Sequence, residues 1–190
     1  MEVCVVVLAG GRGRRLGDVD KAAVRVGGST LLARALAAAP TGARTLVVGP
    51  PRPGHDRATF VAEERTHGGP LSGLAAAVPQ VDEPVLVLLA VDLPFAGSVV
   101  PLLLAALSDD VDAVVAVDPL GFRQPLCAAY RTAALRDGIA ALGQPWGRSM
   151  RDLLALLTVR ELPIADPRVL ADVDTAVDLE RIRSEAEGTR

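Results

Sequence analysis

Aromatic side chains are nearly missing from this 190-residue chain. One Trp, one Tyr and three Phe make up 3% of it, although half of its residues are apolar. A core with that composition has to be assembled from Ala, Val and Leu. Cysteine is equally scarce, at two residues, Cys4 and Cys127, each inside an apolar stretch. Two thiols exclude a disulfide framework, and they make no zinc site without other ligands, so both read as small buried hydrophobes. Positive charge is not in excess either. The net charge of -3 argues against a general nucleic-acid binder, which needs a basic face. No charged, apolar and small-residue sequence opens the chain as a signal peptide would. The longest apolar run, Pro84 to Ala90 with its flanks, is too short to span a bilayer and is interrupted by Asp92. The only histidines, His55 and His67, both fall in loops. No Ser-His-Asp or Cys-His set is evident. A cytoplasmic protein with neither a nucleic-acid nor a membrane partner is expected.

What is present is an alternation of strand and helix patterns. Val3 to Leu8 is a continuous β-branched apolar run, as in a parallel strand buried on both faces. Ser29 is read as the N-cap of a helix from Thr30 to Ala39, stopped by Pro40. Strands are expected at 45–48, ended by the "GPPRPG" of 49–54, and at 59–62. A helix over 71–78 follows the "HGGP" turn. The strongest strand, "VLVLLAV" at 85–91, ends at Asp92, with Pro94 beyond it. Further on, helices are expected at 98–107, 132–142, 149–156 and 175–187, and strands at 112–117, 126–130 and 158–164. This is the pattern of a single α/β domain, 1–186, with a mostly parallel sheet covered by helices on both faces. Residues 187–190 read as a frayed tail. Ligands of such sheets bind beyond the carboxyl ends of the strands, so Leu8–Gly11 and Val91–Asp92 are the ends to inspect.

At the first of these ends stands "VVLAGGRGRRLGDVDK", residues 6–21. Gly10, Gly11 and Gly13 permit a sharp turn that brings backbone N–H groups against a ligand, and Arg12, Arg14, Arg15 and Lys21 surround it with charge. Two familiar phosphate loops fail here. Gly17 is followed by Asp18 where a P-loop needs lysine, and Leu16 stands where the dinucleotide fingerprint needs glycine. The residues alone leave two readings open: another kind of phosphate loop, or a tight turn with arginines in solvent. At the second end, Asp92 is costly to desolvate unless paired or bound to a metal, but it also suits a turn before Leu93-Pro94.

The 6–21 stretch resembles the signature L-A-G-G, a few residues, R-[ML]-G, a short gap and a lysine. That signature belongs to the nucleotidyltransferase family that includes molybdenum cofactor guanylyltransferase. The resemblance implies a Rossmann-like nucleotidyltransferase fold. It also implies that Gly10, Gly11, Arg15 and Lys21 hold phosphates, with Leu8 and Ala9 under the base and ribose. "GGPLSG" then resembles the family's G-P-L-x-G segment, in which Gly69, Pro70, Leu71 and Gly73 help hold the base. "VDLP" resembles its D-x-P pattern, with Asp92 as the magnesium ligand. "LADVDTAVDL" at 170–179 resembles the closing segment, with Ala176 in place of the usual proline. Thr175 and Asp178 are explained as a capping box. Asp172 and Asp174 are not, and Asp174 is the better candidate for a second metal contact. "GFRQPLCAAY" is similar to the stretch near the acceptor, so Arg123 and Gln124 either face the acceptor or form an exposed turn. Trp146 and Arg148 either cover an acceptor ring and phosphate or pack a loop.

The implied reaction is magnesium-dependent transfer of a nucleoside monophosphate from an NTP, GTP first, to a phosphorylated acceptor, molybdopterin first, with pyrophosphate released. Arg15, Lys21 and Asp92 carry it. The alternatives are a cytidylyl- or sugar-phosphate nucleotidyltransferase of the same fold, or a nucleotide-binding module without catalysis. Either a monomer or a homo-oligomer fits.

Overall fold

The computed structural model describes residues 2–10, 12–17, 19–63 and 68–188, with the side chains of 12–14 and 187–188 excepted. Seven strands form one sheet. In chain order the elements are β1 (Val3–Leu8), the short β2 (Arg12–Gly13), β3 (Val19–Asp20), β4 (Arg25–Val26) and β5 (Ser29–Thr30), then α1 (Leu31–Ala37), β6 (Arg44–Val48) and β7 (Thr59–Val61). They continue with α2 (Pro70–Ala77), β8 (Val85–Ala90), α3 (Val100–Ala106), β9 (Ala113–Val117) and β10 (Arg123–Arg131). The last are α4 (Thr132–Leu142), α5 (Met150–Leu154), β11 (Val159–Pro163) and α6 (Ala176–Gly188). The sheet order is β11-β9-β10-β8-β1-β6-β7, and β2-β3 and β4-β5 are separate two-stranded ribbons. All neighbours in the large sheet are parallel except β10, which runs antiparallel to both β8 and β9.

Why the central strands carry no polar residues is plain from their two faces. Val5, Val7, Val87 and Leu89 point into a core shared with Leu31 and Leu32 of α1, Leu103 of α3 and Ile182 of α6. Cys4, Val6, Leu86 and Leu88 point into a second core with Leu71 and Leu74 of α2, Leu135 of α4 and Leu153 of α5. Each strand therefore has to satisfy two apolar layers. Cys4 and Cys127 lie in opposite cores, and burial pushes each thiol up to about 12. Both are the inert buried hydrophobes expected, and both are free.

Several boundaries differ from the sequence reading. Thr30, not Ser29, caps α1, its side chain accepting from the Ala33 N–H at 3.1 Å, because the helix begins one residue later than expected, at Leu31. β10 is longer than expected and starts at Arg123. Its register shifts between Gln124 and Ala128, around Pro125, which has no N–H to donate, and the Tyr130 hydroxyl donates to the Pro125 carbonyl at 2.8 Å. The last helix runs on to Gly188, so 187 and 188 belong to it. Among the described residues no helix is long and apolar enough to cross a membrane.

Candidate active site

The carboxyl ends of β1, β6 and β8 are held in step by backbone bonds that continue past the strands. Ala9 N–H donates to Val48 O at 2.9 Å, and Val91 N–H donates to Leu8 O at 3.1 Å. Gly10 and Asp92 thereby leave neighbouring strands at the same edge, which is where the order of a parallel sheet places ligands.

Lys21 returns to this edge from the other side of the glycine loop. Asp20 ends β3 and caps a 3-10 turn that begins at Lys21, accepting from the Ala22 N–H at 3.1 Å. The lysine side chain is almost wholly covered, at 11% exposure, and donates to Asp92 Oδ2 at 2.8 Å and to Asp174 Oδ1. Burial alone would pull its ammonium down. The hydrogen bonds to Asp174 and Asp92 more than reverse that, and the group sits above its usual value. Arg15, largely in solvent, lies 3.8 Å from the same Asp174. Asp174 arrives from a remote part of the chain because Val173 N–H donates to Asp92 O at 3.0 Å, threading residues 172–174 along the end of β8. Thr175 and Asp178 then form the expected capping box. Asp178 Oδ2 accepts from the Thr175 N–H at 2.8 Å, and Thr175 Oγ1 accepts from the Asp178 N–H at 3.2 Å. Asp172 reaches solvent, yet its partial burial and the charges of Asp174 and Asp92 push its carboxyl above the ordinary value.

Around these groups lies a cavity of about 340 Å³. Its floor is Leu8, Gly10 and the Ala90–Asp92 strand end, and one wall is Gly69, Pro70 and Gly73. Gly69 has φ +83° and ψ 176°, a conformation only glycine adopts at ease, and it delivers Pro70 to the first position of α2. A Cβ on Gly73 would lie 3.3 Å from Leu8 and 3.4 Å from Val48, so α2 sits tightly on the strand ends because that residue is bare. Two other surface grooves are larger, about 620 and 420 Å³. They open at the amino ends of the strands, around His55 and Ala58 in one case and Val3, Arg44 and Glu83 in the other. Neither has a comparable buried ion pair.

The structure therefore brings together Leu8, Gly10, Lys21, Gly69, Pro70 and Asp92 at the cavity, with Asp174 joined to them through the lysine and Arg15 through Asp174. Ala9 and Leu71 are buried in the core beneath it, which leaves them only backbone groups to offer. Gly11 and His67 lie outside the described residues. Arg123 and Gln124 are turned to other partners. Arg123 Nε donates to Glu161 at 2.7 Å, and Gln124 Nε2 donates to Asp118 at 3.1 Å within the β9-β10 turn. From that strand it is Leu126 that lines the cavity. Sequence reasoning missed Leu126 and also Glu63, a half-buried carboxylate just past β7 that lines the cavity. Its position after an apolar strand at the carboxyl edge is the same signal that Asp92 gave. Trp146 is half exposed and stands beside Gly68, where a Cβ would come within 2.9 Å of its ring.

The model of the MobA-like NTP transferase domain family matches residues 5–162. A probable molybdenum cofactor guanylyltransferase of Synechococcus elongatus is 32% identical over 200 aligned positions, covering 96% of this chain and 99% of that protein. Among solved structures, molybdopterin-guanine dinucleotide biosynthesis protein A of Archaeoglobus fulgidus superposes with a TM-score of 0.75 at 22% identity, covering 97% of this chain and 99% of that one. A 2-C-methyl-D-erythritol 4-phosphate cytidylyltransferase of Thermus thermophilus gives 0.76 at 24%, covering 98% and 100%. At such identities the two structures establish a shared fold. The matched family span stops before Asp172 and Asp174.

Proposed function

The chain belongs to the family of MobA-like NTP transferase domains, and from that premise we propose that it transfers guanylate from GTP to the phosphate of a molybdopterin acceptor and releases pyrophosphate. The observation that carries this reading is the meeting of Lys21, Asp92 and Asp174 beside the glycine loop, at the carboxyl ends of β1 and β8. The guanine and molybdopterin specificity is supported by the names of its full-length relatives.

In the proposed reaction an acceptor phosphate oxygen attacks the α-phosphorus of the triphosphate. The bond from that phosphorus to the bridging oxygen of the β-phosphate breaks, and pyrophosphate leaves with the bond's electrons. Such transfer needs positioning and neutralised charge rather than a protein nucleophile. The backbone at Gly10 lies against the phosphates, Gly69 and Pro70 flank the base, and Lys21 with Arg15 offsets charge on the departing pyrophosphate. The site also fits magnesium. Asp92 and Asp174 converge on one ammonium, so the space between them accepts a cation, and carboxylate oxygens are the donors magnesium prefers. Among the described residues no cluster of three or more metal-ligating side chains exists, so phosphate oxygens would complete its shell. When bound, the ion would supply charge that polarises the α-phosphate.

Thermal denaturation with each of the four ribonucleoside triphosphates, with and without magnesium, tests this reading. Selective binding at 100 times Kd stabilises by about 2.7 kcal/mol. A shift with GTP and magnesium, followed by pyrophosphate release that requires molybdopterin, is the expected result. A shift confined to CTP would replace the base, and no shift with any triphosphate would remove the reading.

A further inference from the structure

The "GPPRPG" turn after β6 is not accounted for by the transfer chemistry, yet its arginine makes four hydrogen bonds beside the glycine loop. Arg52 Nε donates to Asp20 Oδ2 at 3.0 Å and Nη2 to Asp20 Oδ1 at 2.8 Å, a two-pronged grip on one carboxylate. Nη1 donates to Pro50 O at 3.0 Å, and Nη2 also reaches Ala9 O at 3.5 Å. The arginine is only 13% exposed, unlike the solvated surface pairs that contribute little. Gly49 makes this return path possible. Its φ is +149°, and a Cβ there would press to 3.3 Å from the Ala9 carbonyl.

The two residues that Arg52 holds are telling. Ala9 immediately precedes Gly10, and Asp20 immediately precedes Lys21. One guanidinium therefore ties together the two ends of the glycine loop, and Asp20 also caps the turn that aims Lys21. A lysine carries its ammonium on a four-carbon stem, so where that ammonium sits depends on the backbone that launches it.

We propose that Arg52 is a positioning residue of the transferase, clasping Ala9 and Asp20 so that the glycine loop and Lys21 are preset for the triphosphate; this rests on the nucleotidyltransferase reading above. Arg52 touches no substrate in this scheme. It acts through Asp20 and Lys21.

The test compares the full-length protein with Arg52→Ala, Arg52→Lys, Asp20→Asn and the double variant Arg52→Ala/Asp20→Asn, using GTP with magnesium and molybdopterin. Misplaced catalytic groups cost rate, so Arg52→Ala is expected to lower kcat by about 10- to 100-fold. Its KM for GTP should change by less than about 3-fold, and its melting temperature should stay near that of the wild type. Arg52→Lys keeps the charge without the fork and should fall in between. Because the two residues act as one unit, the double variant should be no slower than the worse single variant. Losses that multiply in the double variant, or an unchanged kcat in Arg52→Ala, would overturn the proposal. If the wild type binds no triphosphate, the nucleotidyltransferase reading fails by itself. Amide hydrogen exchange of the unliganded proteins then decides on the clasp. Faster exchange across residues 20–24 in Arg52→Ala, with the β8 amides unchanged, upholds it, and identical exchange rejects it.

Discussion

At the scale of single residues, the candidate site is a balance between one buried lysine and two carboxylates. Removing Lys21 leaves Asp92 and Asp174 facing each other without their shared cation. Removing Asp92 leaves the ammonium with Asp174. Lys21→Ala and Asp92→Asn are both expected to lower transfer by at least about 100-fold with the far-ultraviolet circular dichroism unchanged. Full activity in either variant would refute the site. These two residues were legible in the sequence because their chemistry contradicts their surroundings, a lysine closing a glycine loop and an aspartate ending an apolar strand. Glu63 also follows an apolar strand, but the second glutamate after it masks that signal and makes it read as part of a solvated turn. Arg123 and Gln124 were legible as polar groups before a strand. Which partners they would take depended on Glu161 and Asp118, and the local sequence says nothing of Glu161.

At the scale of elements, the start of α6 matters because Asp174 stands immediately before its cap. Asp178 is held below its ordinary value, first by its hydrogen bond from Thr175. A carboxylate whose folded pKa is depressed stabilises the fold above its unfolded value, and that contribution disappears as the pH falls through the folded one. Asp178→Ala should therefore cost about 1 kcal/mol near neutral pH, and its melting temperature should converge with that of the wild type as the pH drops below 3.8. A gap that persists in acid would mean the capping box is not the source. The cap itself was readable from "TAVD", since its spacing is local. The β2-β3 and β4-β5 ribbons were not, because strands of two residues leave no periodicity to read. The direction of β10 was equally hidden, since an apolar strand looks alike whichever way it runs.

At the scale of the whole molecule, the chain's last segment joins its first. Residues 172–174 run along Asp92, Ile182 of α6 is fully buried in the core beneath β1, and Arg183 donates to the Arg25 carbonyl at 3.2 Å. A chain ending at Ala171 should lose at least about 3 kcal/mol through exposed core, lowering the melting temperature by roughly 10 °C. It should also lose the Asp174 contact and with it most transfer. Retained stability and activity would show that this segment is dispensable. The sequence alone determined the class of fold and the strand ends to inspect, because hydrophobic periodicity and misplaced charge are local properties of a chain, whereas the phosphate role of the glycine loop and Lys21 came only from the resemblance of their spacing to a family signature. Only the tertiary structure decided that Asp174 shares Lys21 with Asp92, that Arg52 ties Ala9 to Asp20, and that Leu71 belongs to the core rather than the cavity. Those facts join residues dozens to more than a hundred positions apart, or depend on which face of a helix meets the sheet, and no local pattern carries such distances.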